Sequence, residues 1–173
     1  MIKLEPLTGH HSRSAFDCGV EPLNLWLRQT ALQHQSRGIS RTFVAVPADQ
    51  AAVDTYGLAG HGHIGPASIL GFYALASSFV LLEDLPQELT KRLPRQVPVT
   101  RLGRLATRAG LQGQGLGQIL LADALARARS AAQAVGSAGV FVDAKNSDAA
   151  RFYGRYGFRP CQDQPLKLFL SMW

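Results

Sequence analysis

Between Arg108 and Leu121 the chain reads RAGLQGQGLGQILL, and no other stretch restricts its fold as much. A strand-like segment leads in, glycines punctuate the middle, and a leucine-rich run leads out. That order predicts a strand, a tight turn and a helix. Glycines let backbone N–H groups approach an anion, and a helix N-terminus adds about half a positive charge. In physical terms this is a phosphate cradle. Two common cradles do not fit it. A dinucleotide fingerprint G-x-G-x-x-G begun at Gly113 needs glycine at 118, where Gln118 stands. A P-loop needs Gly-Lys-Ser/Thr entering the helix, and the sequence has no such triplet there. What remains is a Q-x-x-G-x-G spacing made by Gln112, Gly113, Gln114, Gly115, Leu116 and Gly117. Turn chemistry alone also allows a glycine-rich turn that holds nothing.

The elements around this stretch alternate. Ile2–Pro6 reads as a short strand, and Pro22 to Gln35 as a helix ending before Gly38. Arg41–Val46 reads as a strand, followed by a loop of about 20 residues over Pro47–Pro66. Ile69–Val80 and Val97–Thr107 read as strands, with a short helix over Pro86–Leu93 between them. Gly103 within the second strand suggests a bulge or a close backbone approach. The longest helix runs from Gly115 to about Val135, with Asp123, Arg127 and Ser130 on one face. Val140–Asp143 is a short buried strand, Ser147–Tyr156 a helix closed by Gly157, and Leu166–Met172 a last strand. This alternation predicts an α/β layer in a single domain, residues 1–173, rather than a bundle or a sandwich.

Composition narrows the function classes. Hydrophobic residues make up 46% and charged residues 17% of 173, which excludes disorder and allows a substantial core. No apolar run approaches about 18 residues, and Met1–Pro6 has no apolar leader character. Cys18 and Cys161 are too few for a disulfide framework, so a reduced, cytoplasmic protein is expected. Lys plus Arg is 18 against 12 for Asp plus Glu, a net +6. That excess suits an anionic partner, whether cofactor phosphates, nucleic acid or an acidic protein.

Here the residues reach a family. Q-x-x-G-x-G between a strand and a long helix resembles the pyrophosphate-binding signature of the GNAT acetyltransferases. Asn146-Ser147-Asp148-Ala149-Ala150-Arg151-Phe152-Tyr153, followed by Tyr156-Gly157-Phe158, resembles that family's A-x-x-F-Y-x-x-x-G-F segment. A narrower resemblance covers nearly the whole chain. Phe16-Asp17-Cys18-Gly19, Leu25-Trp26-Leu27, Ser40-Arg41-Thr42-Phe43-Val44 and Leu102-Gly103-Arg104-Leu105-Ala106 are similar to segments of the GNAT toxins of type II toxin–antitoxin modules.

The resemblance implies a GNAT fold, with a mixed central sheet of about six to seven strands flanked by about four helices. Splayed strands would hold acetyl-CoA, with Gln112–Gly117 on its pyrophosphate. Leu105 and Ala106 would lie near the thioester, where a backbone N–H polarises the carbonyl. Tyr153 would be the general acid meeting the departing sulfur, with Tyr156 as its rival about 60° around the helix. A phenol near pKa 10 protonating a thiolate near 8.5 is uphill by roughly 2 kcal/mol, so a strong hydrogen bond is favoured over early transfer. Asn146 caps its helix, and the resemblance adds a contact to the pantetheine arm. Members of the toxin family acetylate the α-amine of aminoacyl-tRNA, block translation, dimerise, and are neutralised by a ribbon-helix-helix antitoxin.

No base is named by the sequence. Val97–Thr107 holds no Asp or Glu, leaving Glu83, Asp84 or a water relay. An α-amine near pKa 8 needs less help than a lysine near 10.4, which fits an aminoacyl-ester acceptor. Arg28, Arg37, Arg41, Arg92 and Arg95 are the basic residues assigned to RNA. The histidines His10, His11, His34, His61 and His63 read as surface or loop residues, and no zinc spacing is met, so no metal is expected. Two other functions stay open at this point. One is a GNAT acting on a small-molecule or protein amine. The other is a non-catalytic module that senses acyl-CoA or acts as a co-repressor.

Overall fold

A computed structural model describes residues 1–172. The chain runs through β1 (Ile2–Pro6), α1 (Glu21–Gln29), α2 (Ala31–Ser36), β2 (Arg41–Pro47), α3 (Gln50–Leu58) and β3 (Gly71–Leu81). It continues through β4 (Gln96–Thr107), α4 (Leu116–Val135), β5 (Gly139–Asp143), α5 (Ser147–Gly154), β6 (Arg159–Cys161) and β7 (Gln164–Ser171). The strands form one seven-stranded sheet in the order β1-β2-β3-β4-β5-β7-β6. β1 pairs antiparallel with β2, β4 parallel with β5, and β7 antiparallel with both β5 and β6. The sheet is therefore mixed, as expected. No described helix is long and apolar enough to cross a membrane.

The residues group into two compact units. One comprises Met1–Ala74 with Arg104–Asp123, the other Leu75–Gly103 with the chain from Ala124 onward. β3 and β4 contribute residues to both.

In the first unit, β2 is buried from Thr42 to Pro47 and packs under α1 and α2. Trp26 and Leu27 on α1 and Ala31 on α2 meet Val44, Val46, Phe72 and Phe16. Trp26 stacks on Phe72 with centroids 6.1 Å apart, and Phe16 meets Phe72 edge-on at 5.5 Å. Burying each of these side chains contributes roughly 1.5–3 kcal/mol. The single helix expected over residues 22–35 is two helices. Thr30 separates them, its φ of −122° lying outside the helical well, although its N–H still bonds to Trp26 O at 2.9 Å.

The expected long loop at Pro47–Pro66 contains α3. Asp49 caps it, accepting the Ala52 N–H at 2.8 Å. The helix buries only Ala52. It therefore shows little of the apolar stripe by which a surface helix is recognised. The described residues thus hold five α-helices where the resemblance implied about four, through α3 and the break at Thr30.

In the second unit, Val80, Leu85, Val97, Val99, Phe141, Cys161 and Phe169 form the core. The short helix expected at Pro86–Leu93 is a 3₁₀ turn over Gln87–Leu89, preceded by another over Leu82–Asp84. β6 is an added strand that turns back on β7 through Asp163, whose φ is +55°. The β4–β5 ladder covers only Thr100–Leu102 against Val140–Val142, and it stops five residues before β4 ends. Cys18 and Cys161 are both free thiols, each buried. His11 corrects the histidine reading: it is buried, and its Nε2 meets Glu5 Oε1 at 2.7 Å.

Candidate active site

The glycine-rich turn folds as its residue types demand. Gly113 has φ +78° and Gly115 φ +83°, the left-handed region where a Cβ is costly. α4 starts at Leu116, so Gly115 occupies the capping position and has no side chain to accept the helix's first N–H groups. Gln112, Gly113, Gln114 and Gly115 are exposed, Gly117 is half-buried, and Leu116 turns inward with Leu120 and Leu121. An exposed glycine-rich turn ahead of a helix start that lacks a capping side chain is the kind of place where an anion binds.

What holds this turn in place was legible only in part. Arg108 is 6% exposed; its Nε donates to Ile69 O at 2.8 Å and its Nη1 to Ala15 O at 3.2 Å. The Ala109 N–H donates to Asp17 O at 2.7 Å, and Gln112 Nε2 to Cys18 O at 3.4 Å. The segment Phe16–Gly19 is thus the clamp on the entry to the turn. It is itself fixed: Asp17 Oδ1 accepts from the Gly19 N–H at 2.8 Å and from Asn24 Nδ2 at 2.9 Å. These bonds hold the Asp17 carboxyl below the usual carboxylate range. Asn24 Oδ1 in turn accepts the Cys18 N–H at 2.9 Å. The sequence singled out this segment by resemblance; its mechanical role comes from the fold.

On β4, Ala106 is buried and Leu105 half-buried. A Cβ on Gly71 would lie 2.9 Å from Ala106 O, so glycine at 71 is what lets β3 lie this close. Tyr73, one turn of the pleat on, donates its hydroxyl to Asp123 on α4 at 2.5 Å. Asp123, expected on a polar face, is therefore engaged within the fold.

In the second unit, Asn146 caps α5, its side chain accepting the Ala149 N–H at 2.9 Å. Gly157, with φ +94°, ends the segment, and the Phe158 N–H returns to Tyr153 O at 3.3 Å. Tyr153 is 6% exposed and packs on Phe152 and Phe158, with centroids 5.2 and 5.4 Å away. Burial pushes its phenol up to about 12. Tyr156, the rival, is half-buried and packs on Phe152 at 5.3 Å.

Of the arginines assigned to RNA, Arg37, Arg41, Arg92 and Arg95 are exposed. Arg28 is half-buried and pairs with Glu21 at 2.8 Å. Arg95 lines an open groove of about 370 Å³ with Leu81, Leu82, Glu83, Thr90 and Gln162. Arg104, absent from the RNA set, lies over the Trp26 ring at 4.0 Å.

Comparison with known proteins adds four findings. A family model for an acetyltransferase (GNAT) domain matches residues 69–160. A tRNA-acetylating toxin of Mycobacterium tuberculosis is 34% identical over 159 residues, covering 92% of this chain and 85% of its own length. Among solved structures, AtaT complexed with acetyl-methionyl-tRNAfMet aligns with a TM-score of 0.83 and 31% identity, covering 99% of this chain and 95% of that one. A tyrosine-to-phenylalanine mutant of AtaT, bound to the C-terminus of the antitoxin AtaR and to acetyl-CoA, aligns with a TM-score of 0.75 and 30% identity, covering 99% and 93%.

Proposed function

This chain belongs to the GNAT acetyltransferase family, and from that membership we propose that it transfers acetyl from acetyl-CoA to the α-amine of an aminoacyl-tRNA. The observation that carries the reading is its 34% identity, over 92% of its length, to a tRNA-acetylating toxin. The chain is an N-acetyltransferase with acetyl-CoA as co-substrate.

The cofactor supplies an activated acetyl carbonyl; the protein's groups bind, orient and protonate. Backbone N–H groups of Gln112, Gly113, Gln114, Gly115, Leu116 and Gly117 would take the pyrophosphate. β4 beyond Leu102, where the β5 ladder has stopped, would offer main-chain groups to the pantetheine arm, with Asn146 as a further contact. A backbone N–H at Leu105 or Ala106 would polarise the acetyl carbonyl, an interaction worth roughly 3–4 kcal/mol in other acyl transfers.

Tyr153 would act as general acid. Its burial sharpens the argument about proton timing. A phenol at about 12 opposite a thiol near 8.5 is uphill by about 3.5 units, or roughly 5 kcal/mol. Tyr153 would therefore stabilise the leaving thiolate as a hydrogen-bond donor and complete the transfer late. The acceptor would need little general-base help, because an α-amine titrates near 8. That agrees with a β4 strand carrying no carboxylate.

The wider assignment follows the same line. The whole chain, residues 1–173, would form a single catalytic domain, homodimeric and cytoplasmic. It would block translation and be held inactive by a ribbon-helix-helix antitoxin encoded next door. Arg37, Arg41, Arg92 and Arg95, with Arg28, would contact RNA phosphates, so binding would weaken steeply with salt. Incubation with labelled acetyl-CoA and charged tRNA, polyamines or bulk protein tests the acceptor. Label is expected on aminoacyl-tRNA; label on protein and never on charged tRNA overturns the reading.

A further inference from the structure

Neither the glycine turn nor the tyrosine accounts for Arg104. Its guanidinium carbon lies 4.0 Å from the centre of the Trp26 ring. The side chain is half-buried, and desolvation lowers its pKa from the usual guanidinium value. Four other arginines pair with carboxylates, Arg28 with Glu21, Arg101 with Asp143, Arg151 with Asp148 and Arg159 with Glu88, and Arg37, Arg41, Arg92 and Arg95 lie exposed to water. Buried Arg108 has two carbonyls. Among the described residues, no carboxylate or carbonyl meets the Arg104 N–H groups.

Trp26 supplies an independent observation. It is 8% exposed, and its indole N–H is buried with no acceptor. A guanidinium centred over an aromatic ring can still donate from its N–H groups to a ligand beside it. A ring beneath and unfilled donors at the edge suit a bidentate oxyanion. Partly dehydrated donors without partners cost free energy, which a ligand would recover.

The position on β4 selects the anion. Arg104 directly precedes Leu105, with consecutive Cα atoms about 3.8 Å apart. An acceptor presenting its amine at Leu105–Ala106 brings its nearest phosphate within a side chain's length of that guanidinium. The cofactor's pyrophosphate already has the turn at 112–117. We propose that Arg104, laid on Trp26, binds the terminal phosphodiester of the aminoacylated acceptor strand and so positions the α-amine. This assignment rests on the aminoacyl-tRNA reading above.

Two synthetic acceptors test it: an aminoacyl-adenosine ester with no phosphate, and the same ester of cytidylyl-adenosine with one phosphodiester. Both carry the amino acid of the tRNA that the wild-type protein acetylates. Wild-type kcat/KM is expected to be about tenfold or more higher for the dinucleotide ester, the scale of one charge-assisted pair. Arg104→Gln should bring the ratio close to one, with Arg104→Lys between. Each ratio is taken within one preparation, so partial misfolding does not move it. An unchanged ratio in Arg104→Gln overturns the assignment, as does a wild-type ratio of one. So does a raised KM for acetyl-CoA with the acceptor ratio intact, which would give Arg104 to a cofactor phosphate. Should both variants be inactive, free cytidylyl-adenosine and adenosine are compared as inhibitors of the wild-type protein. Stronger competition with the acceptor by the dinucleotide supports the assignment, and equal inhibition refutes it. Failure of the wild-type protein to acetylate charged tRNA is a separate result that removes the proposed function, and Arg104's role with it.

Discussion

At the start of α5 the side chain of Asn146 takes the Ala149 N–H, whereas at the start of α4 the corresponding residue is Gly115, which has no side chain to give. α5 has a side-chain cap for the Ala149 N–H and packs Tyr153 between Phe152 and Phe158. At α4 no capping side chain is present, and the turn before it is exposed from Gln112 to Gly115, with Gly113 and Gly115 in the left-handed region. A capped helix start is finished as structure; an uncapped one, held rigid by Arg108 and the Asp17–Gly19 segment, is open to an anion. Under the proposed function the two helices would do different work: the start of α4 would take the cofactor's pyrophosphate, and α5 would place a proton donor.

The largest effect that could break this division is at Tyr153. Tyr153→Phe should lower kcat by about a hundredfold or more, the range of general acid catalysis, while calorimetry still registers acetyl-CoA binding. Loss of binding together with turnover would mean that α5 also builds the cofactor site. The second effect is on stability in alkali. The folded-state pKa of Tyr153 is raised to about 12, above the ordinary value of 10, so the folded protein holds this proton more tightly. Its contribution is complete below pH 10 and is lost as the pH rises towards 12, a change of roughly 2–3 kcal/mol. Thermal melts across that range should fall more steeply for the wild-type protein than for Tyr153→Phe; parallel curves would contradict the burial argument.

A smaller change is expected from Gly113→Ala. No atom lies within 4 Å of where its Cβ would go, so the cost is conformational, about 1–2 kcal/mol at φ +78°. KM for acetyl-CoA should rise about tenfold with kcat nearly constant. An unaltered KM would show that the turn is not the cradle. The smallest is Asn146→Ala, which removes a cap worth about 1 kcal/mol and should lower Tm by about 2–4 °C. If KM for acetyl-CoA also rises, Asn146 touches the pantetheine arm as well as capping α5.

Much of this was legible without a structure because it is local. The glycines at 113 and 115, the leucine stripe of α4, the cap at Asn146 and the stop at Gly157 act over a few residues. Their chemistry is the same in any context. α3 shows the limit of that legibility. Its Asp49 cap is a local signal, yet a helix burying one alanine has almost no periodicity to announce it. The split of the first helix at Thr30 failed for a related reason, since Trp26, Leu27 and Ala31 keep helical spacing across the break.

From the sequence come the glycine-rich turn between β4 and α4 and the aromatic helix carrying Tyr153 that follows it. Side-chain type and spacing are sufficient for both. Tertiary packing alone sets Asp17 and Cys18 against the entry to that turn, buries Tyr153 enough to shift its phenol, and lays Arg104 over Trp26. Each of those depends on groups from distant parts of the chain meeting, and on how much water they lose when they do. Neither is written in any window of consecutive residues.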